Sequence, residues 1–566
     1  MDSQGLAQRS VPAPAPPSQA VWSSRADPLF LTGLAVFAIA AVWAAAPHFI
    51  DYDSVQFALA LGQHDVRLHH PQPPGYVFDV WLARAVAVLT GDARRALHLV
   101  ALGLTLAASG ALYALTRGAF GRGTARWSAA LFLTSPVVLF HALVTKIYPA
   151  DACAAAVVAL LVWWARRDRR LGSLLLAAAV VGLSGGFRPT AMVFALPLLG
   201  VLLIERGRRE AAWGAVAAAA GAAAWFLPQL APAGGLASYF ELNRDLQAHI
   251  AAKSPWRAGG DVLVQHLHRA ATVFVFGMGP ARLAVLGWSV LRGRSHTPTP
   301  APGLGRGAVA AWIAAPLLFV LSYHFPKSGY ALALWPALAL GLARLVRHPR
   351  ALAAAMGFDV AVFFLVPTMQ VCCRAPWELE EARRHPPATL VQWDWVPGAW
   401  QNVDTWSPRA RRIGQHVLGK VDFYFDRSRD FDFGGVITAL RVAGLPRPDA
   451  WLVGHHATRA ACFELPDQPI LHADVNRPQP FVLYQQRRGV PVSDTLRVPD
   501  SIRWLWLEGD PAMLAFETPA PRVVDLDVPL AHRFTLYEIG PDPLRCVYTP
   551  HSVAGSPPAR MRFVRG

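Results

Sequence analysis

The chain has 566 residues, 54% hydrophobic and only 16% charged, with a formal net charge of +16 and a mean hydropathy of +0.30. A soluble chain of this length carries about a quarter charged residues, so a soluble globular protein is excluded and a polytopic membrane protein indicated. The positive charge needs no nucleic acid as partner, because Arg and Lys gather in short loops between apolar runs, as the positive-inside bias produces.

Residues 1–28 are rich in Pro, Ala and Ser and read as a disordered cytoplasmic tail. The first apolar run, Leu29–Ala46, follows. A tail this long, ahead of many further runs, suits a retained first helix and not a cleaved leader. Residues 47–96 form the first outer loop, which holds Asp51-Tyr52-Asp53-Ser54 and then His69-His70-Pro71-Gln72-Pro73-Pro74-Gly75-Tyr76. Within it, Tyr76–Thr90 has Pro73 and Pro74 ahead, Asp79 and Arg84 inside and Arg94-Arg95 behind. That pattern suits an interfacial or re-entrant amphipathic segment better than a crossing. Apolar runs near the ~20 residues that span a bilayer then recur at Leu97–Thr116, Trp127–Val144, Ala150–Ala165, Leu171–Gly185, Ala191–Ile204, Ala211–Leu227, Ala270–Leu291, Ala308–Tyr323, Tyr330–Leu345 and Ala351–Met369. The fold class expected is therefore an α-helical membrane protein with about eleven transmembrane helices over residues 29–370.

Alternate loops are basic: Arg117, Arg122 and Arg126; Arg166, Arg167, Arg169 and Arg170; Arg206, Arg208 and Arg209; Arg292, Arg294 and Arg306; Arg344, Arg347 and Arg350. The short loops between them carry one cation each, Lys146, Arg188 and Lys327. This alternation places the basic loops in the cytoplasm and the 47–96 loop outside. The protein is then multi-pass in the cell membrane.

Past Met369 the composition turns charged and Pro-rich. Residues 371–555 read as a soluble α/β domain. Strands are expected at Ala450–Val453, Phe481–Tyr484 and Arg503–Leu507 and helices at Gly434–Val442 and His455–Cys462. An odd number of spans puts this domain on the extracytoplasmic side, and residues 556–566 read as a flexible tail. Its Trp377, Trp393, Trp395, Trp400 and Trp406 suit a core or an interfacial belt, with sugar stacking as the other use. Five cysteines show no metal-ligand spacing. Cys153 falls in a membrane run, Cys372 and Cys373 are adjacent, and a Cys462–Cys546 disulfide is open to an oxidising compartment.

Carboxylates at the mouth of an apolar bundle are costly to hold and mark reaction sites or ion pathways. Asp51 and Asp53 face the same way only on an extended chain. Asp53 or Ser54 can also simply begin a helix, where a carboxylate caps and meets the dipole. Three further loops on the outer side supply polar groups: Thr145-Lys146-Ile147-Tyr148-Pro149-Ala150-Asp151, Gly185-Gly186-Phe187-Arg188-Pro189-Thr190 and His324-Phe325-Pro326-Lys327-Ser328-Gly329-Tyr330. Any one cation suits an interfacial anchor. Three on the side of two or three carboxylates suit phosphate binding beside a base or a metal.

These motifs, in this order and on this side, resemble the GT-C class of membrane glycosyltransferases that use polyprenyl-phosphate-linked sugars. The pattern is similar to the protein O-mannosyltransferase and aminoarabinose-transferase branch. Asp53-Ser54 matches that family's acidic motif in the first outer loop, with Ser54 where many members have Glu. Pro73-Pro74-Gly75-Tyr76 matches its Pro-Pro-aromatic element, Asp151 its second acidic residue, and Lys327, Tyr330 and Leu334–Leu340 its Lys, aromatic and Leu/Pro-rich helix. The resemblance covers Leu29 to Met369. It implies inverting transfer of a sugar from a polyprenyl-phosphate lipid to an acceptor hydroxyl whose class it leaves open. Asp53 would be the base and Lys327 and Arg188 the phosphate partners, with Lys146 and Tyr330 beside them. Asp151, with Asp51 or His70, would orient the acceptor or hold a divalent cation together with Asp53, and Pro74 and Tyr76 would shape the loop. A transporter or lipid flippase is the rival class, since intramembrane charges and broken helices suit it too. A membrane scaffold for the outer domain is a third.

Overall fold

The computed structural model describes residues 27–46, 49, 52–252, 254–292, 304–325, 327–365, 436–454, 457–472, 482–485, 488–491, 495–508, 514–526, 534–549 and 561–565. The N-terminal tail, Asp51, Cys372, Cys373 and the five tryptophans between 377 and 406 lie outside them.

The helices are α1 (Pro28–Trp43), α2 (Tyr52–Gly62), α3 (Val77–Thr90), α4 (Ala93–Phe120), α5 (Arg122–Leu133), α6 (Pro136–Leu143), α7 (Pro149–Asp168), α8 (Leu171–Phe187), α9 (Pro189–Ile204) and α10 (Arg208–Gln229). There follow α11 (Leu236–Ala252), α12 (Pro255–Ala258), α13 (Gly260–Met278), α14 (Pro280–Leu291), α15 (Arg306–Ser322), α16 (Trp335–Ala343) and α17 (Pro349–Leu365), with a 3₁₀ segment over Ser328–Leu334 leading into α16. Proline opens many of them, at 28, 136, 149, 189, 255 and 280. Its fixed φ suits the first turn, and its missing N–H is one the helix would leave unbonded there anyway.

Proline also accounts for a departure from the expected spans. The run Trp127–Val144 is two helices, α5 and α6, bent by 61°, and Ala270–Leu291 bends by 91° where α13 gives way to α14. Pro136 and Pro280 sit at these breaks, because a proline cannot accept the preceding turn's geometry or donate into its ladder. Among the described residues α4, α7 and α10 are long and apolar enough to cross a membrane, or up to five spans if each bent pair is one. Helices α1, α8, α9 and α15 and the stretch Ser328–Ala343 are apolar but of 10–17 residues, shorter than the ~20 a straight crossing needs. Several apolar helices in one chain make a multi-pass membrane protein; the number eleven is not reached by these criteria.

Helix α1 starts at a tether. The buried Asp27 carboxylate takes hydrogen bonds from Arg126 Nε (2.8 Å) and Nη2 (2.9 Å) on α5 and from the Tyr113 hydroxyl (2.7 Å) on α4. This anchors the first helix to α4 and α5. Helices α8 and α10 pack backbone to backbone. A Cβ on Gly182 would lie 2.1 Å from the Ala218 carbonyl oxygen, and one on Gly221 2.4 Å from that of Ala179. The segment Tyr76–Thr90 is the 14-residue α3 preceded by Tyr76 as its N-cap. It buries Val77, Val80 and Ala83 and exposes Trp81, Val88 and Leu89, as an interfacial helix does.

The described residues between 436 and 565 form α18 (Val436–Val442), α19 (Ala457–Glu464) and eleven strands: β1 (Ala450–Gly454), β2 (Ile470–His472), β3 (Val482–Gln485), β4 (Arg488–Pro491), β5 (Thr495–Arg497), β6 (Trp504–Glu508), β7 (Leu514–Phe516), β8 (Arg522–Leu526), β9 (Phe534–Glu538), β10 (Leu544–Tyr548) and β11 (Met561–Arg565). One sheet has the order β4-β3-β2-β1-β6-β9-β8, the other β5-β11-β10-β7. Strand β1 is parallel to both neighbours, with Leu452 opposite Ile470 and Trp506. Two expectations change here. Met561–Arg565, assigned to a tail, is a strand bonded to β10 and β5. Cys462 and Cys546 are both free thiols, the first packed in α19 and the second in β10, in separate hydrophobic clusters.

One contact ties these sheets to the membrane helices. Helix α19 lies on α2, where Phe463 meets Phe49 edge to face at 5.3 Å between centroids. Val55, Phe57, Ala58 and Ala60 of α2 share one buried cluster with Ile437, Leu440, Ala461 and Trp506.

Candidate active site

Helix α2 puts Asp53 in its first turn, where the dipole favours a carboxylate. The cap and the site are thus compatible uses of one residue. Asp53 Oδ2 accepts a hydrogen bond from Lys327 Nζ, both side chains being about seven-tenths buried. Lys327 is the residue that opens the 3₁₀ segment.

A second ion pair is wholly enclosed. Asp151 stands in the first turn of α7 and accepts from Arg188 Nη1 and, at 3.3 Å, from Thr190 Oγ1. Arg188 is the single residue linking α8 to α9, so it sits at one helix C-terminus, where a cation is favoured. Its guanidinium packs against two rings that also touch each other, 4.4 Å from the Tyr148 centroid and 4.7 Å from that of Tyr330, with 5.3 Å between the two centroids. Such cation–π contacts contribute about 0.5–2 kcal/mol each and fix the plane of the guanidinium. Gly329 makes room for this cluster, since a Cβ there would be 2.2 Å from the Tyr148 ring. Lys146 is buried, with its ammonium 5.4 Å from the Phe140 centroid.

The 63–76 loop closes over these groups. Asp65 and His70 pair through their backbones at 2.9 Å in both directions, and Asp65 also accepts from the Arg67 side chain at 2.6 and 3.0 Å. His64 Nε2 lies 3.0 Å from the Gly75 carbonyl, and burial pulls its pKa down to about 4, so the ring is neutral at pH 7. Gly75 N donates to Gln72 O at 3.1 Å across the Pro73-Pro74 turn. Tyr76 then enters α3 with φ +49° and sets its ring 5.1 Å from Phe57. Burial pushes the Tyr76 and Tyr148 phenols well above their ordinary range, which keeps both neutral.

Together these elements form a partly open cavity of about 50 Å³ lined by Asp53, Ser54, Phe57, Gln72, Tyr76, Thr145, Lys146, Ile147, Tyr148, Arg188 and Tyr330. Of the residues expected from the sequence, Asp53, Tyr76, Lys146, Arg188 and Tyr330 line it, and Lys327 and Asp151 adjoin it through their ion pairs. His70 and Pro74 belong to the loop and do not line the cavity, and Asp51 is outside the described residues. Tyr148, Phe57, Gln72 and Thr145 were not singled out. The Tyr148-Pro149 step at a helix start was the available signal for Tyr148. Asp53 and Asp151 are each paired with a cation, and among the described residues no three of His, Cys, Asp and Glu gather to hold an ion. What the site can do is bind an anion with three cations while keeping two carboxylates at helix N-termini.

A family model described as dolichyl-phosphate-mannose-protein mannosyltransferase matches residues 70–231, the stretch that carries Lys146, Asp151 and Arg188. The resemblance to the GT-C class of polyprenyl-phosphate-dependent membrane glycosyltransferases therefore stands. Among solved structures, the chain is similar to ArnT from Cupriavidus metallidurans bound to undecaprenyl phosphate, with a TM-score of 0.55 and 16% identity over 90% of this chain and 97% of that one. The apo structure of the same protein gives a TM-score of 0.50 at the same identity and coverage. The fold is thus shared along almost the whole length. No curated protein sequence matches the chain.

Proposed function

We propose that this protein moves a sugar from a polyprenyl-phosphate donor to an acceptor hydroxyl at the extracytoplasmic face of the cell membrane, with inversion. The observation that carries the reading is the Asp53–Lys327 pair at a cavity whose wall also holds Arg188 and Lys146. The matched family and the undecaprenyl phosphate in the ArnT structure support the donor class. The loop charges support the side of the membrane, and the sheets of residues 436–565 would lie outside with the site.

In this mechanism the donor phosphate enters from the bilayer and draws Lys327 away from Asp53. The freed carboxylate accepts the proton of the acceptor hydroxyl as its oxygen attacks the anomeric carbon. The bond from that carbon to the phosphate oxygen breaks, and polyprenyl phosphate leaves against Lys327, Arg188 and Lys146. The Asp151–Arg188 pair keeps the guanidinium fixed throughout. Coupling base and phosphate ligand in one ion pair leaves Asp53 occupied until a donor is present, which disfavours a wasted proton transfer.

Asp53→Asn tests this. Purified variant and wild type are incubated with candidate polyprenyl-phosphate sugars and an acceptor mixture, and released polyprenyl phosphate is measured. The variant is expected to insert normally and to lose about 10²–10⁴-fold in turnover, the contribution of a positioned base. Wild-type turnover by the variant would remove Asp53 from this role.

A further inference from the structure

The cavity holds two polar groups that neither the ion pairs nor the phosphate employ. Gln72 Oε1 and Thr145 Oγ1 are buried, and neither has a hydrogen-bond partner among the described residues. Both residues line the cavity. They come from different loops, Gln72 from the turn after α2 and Thr145 from the link between α6 and α7, so one local backbone distortion does not explain both. A buried polar atom left without a partner costs about 1–3 kcal/mol. Most such atoms in folded proteins are satisfied, so two on one cavity wall point to a ligand that satisfies them.

The chemistry of that ligand follows from what else is present. Gln72 offers an amide and Thr145 a hydroxyl, groups that exchange hydrogen bonds with uncharged hydroxyls. Phe57, Tyr76, Tyr148 and Tyr330 supply ring surface on the same cavity, which suits the apolar faces of a pyranose. Among the described residues, both carboxylates at the site are already engaged, Asp53 by Lys327 and Asp151 by Arg188. Once the donor draws Lys327 off, Asp53 is needed as the base. No carboxylate of the pair is left to balance an ammonium on the sugar, and an added cation would join three already there.

We propose that Gln72 and Thr145 read the hydroxyls of the transferred sugar, and that this sugar is uncharged. This rests on the transferase reading given above. The phosphate subsite and the sugar subsite are then separable: Lys327, Arg188 and Lys146 hold the leaving group, while Gln72 and Thr145 select the ring.

The test uses full-length protein in detergent, two synthetic donors and one product. The donors are a polyprenyl-phosphate neutral hexose and the same lipid bearing an amino sugar; the product is polyprenyl phosphate. Gln72→Ala and Thr145→Val are each expected to lower kcat/KM for the neutral donor about 10–100-fold, the range seen when a site loses one sugar hydrogen bond. Both are expected to bind polyprenyl phosphate as wild type does, and Thr145→Ser to recover most of the loss. Wild type is expected to prefer the neutral donor. Undiminished turnover in both variants, or a wild-type preference for the amino sugar, overturns the sugar subsite while leaving the transferase standing. If wild type neither binds polyprenyl phosphate nor releases it from either donor, the transferase reading falls and the subsite with it.

Discussion

The sharpest consequence of the site's geometry concerns a residue with no side chain. A methyl group built on Gly329 would stand 2.2, 2.3 and 2.7 Å from three carbons of the Tyr148 ring, against 3.4–4 Å for ordinary contact. Tyr148 would have to retreat by about 1 Å, yet it is buried, with His141 edge-on at 5.4 Å and Tyr330 at 5.3 Å. Any retreat moves the ring that Arg188 rests on. Displacing a positioned group by about 1 Å costs on the order of 10²-fold in rate, and overpacking costs about 1–3 kcal/mol of stability. Gly329→Ala is therefore expected to lower turnover about 100-fold and to reduce thermal stability modestly. Gly341→Ala is the control, since a methyl there meets nothing within 4 Å and alanine is the better helix former. The assay is polyprenyl phosphate release alongside a thermal melt of both purified variants. Turnover of Gly329→Ala equal to that of Gly341→Ala would refute the claim that the Tyr148–Tyr330–Arg188 cluster sets the phosphate site.

Two further outcomes can be checked on the same preparations. Arg188→Lys keeps the charge toward Asp151 but cannot pack a planar group against both rings or present a planar fork. It should raise the KM for donor about 10-fold or more, read from initial rates, and weaken polyprenyl phosphate binding in parallel; unchanged values would show that charge alone suffices. Asp79 is buried on α3, and burial lifts its carboxyl pKa to about 7. The folded state then holds a proton that the unfolded state releases, so stability falls as pH rises between 3.8 and about 7. At ~1.4 kcal/mol per unit this amounts to a few kcal/mol. Asp79→Asn should melt higher than wild type at pH 8 and close to it at pH 4, and a gap that does not change with pH would be contrary to this.

What was legible in the sequence was local. Apolar runs located most membrane helices to within a few residues, though α11 and α12 lay outside every run and α13 begins at Gly260, ahead of the expected Ala270; the single cations between basic loops marked Lys146, Arg188 and Lys327. Short apolar stretches also found β1, β3 and β6, and helices α18 and α19 fall where they were expected. The pairings were not legible. Lys327 meets Asp53 across 274 positions, and no periodicity encodes a contact that distant. The helix breaks at Pro136 and Pro280 were missed for a different reason: hydropathy counts apolar side chains, whereas a break depends on a backbone N–H that is not there. Gln72 and Thr145 escaped notice because a neutral polar residue in a loop looks ordinary until its partners are counted in three dimensions.

The seating of α2 has a practical meaning for anyone building variants of this protein. From Ser54 to Ala60 every residue of that helix is buried, with α3 and α4 on one side and α19 on the other. It is a shared wall between the membrane half and the sheets, and it carries Asp53 at its end. Residues 436–565 produced by themselves would bare Ile437, Leu440, Ala461 and Trp506 to water and should be poorly soluble. A chimera that exchanges this half for a relative's must bring the matching face of α2 with it, or the graft will shift Asp53 although no residue of the cavity has been altered.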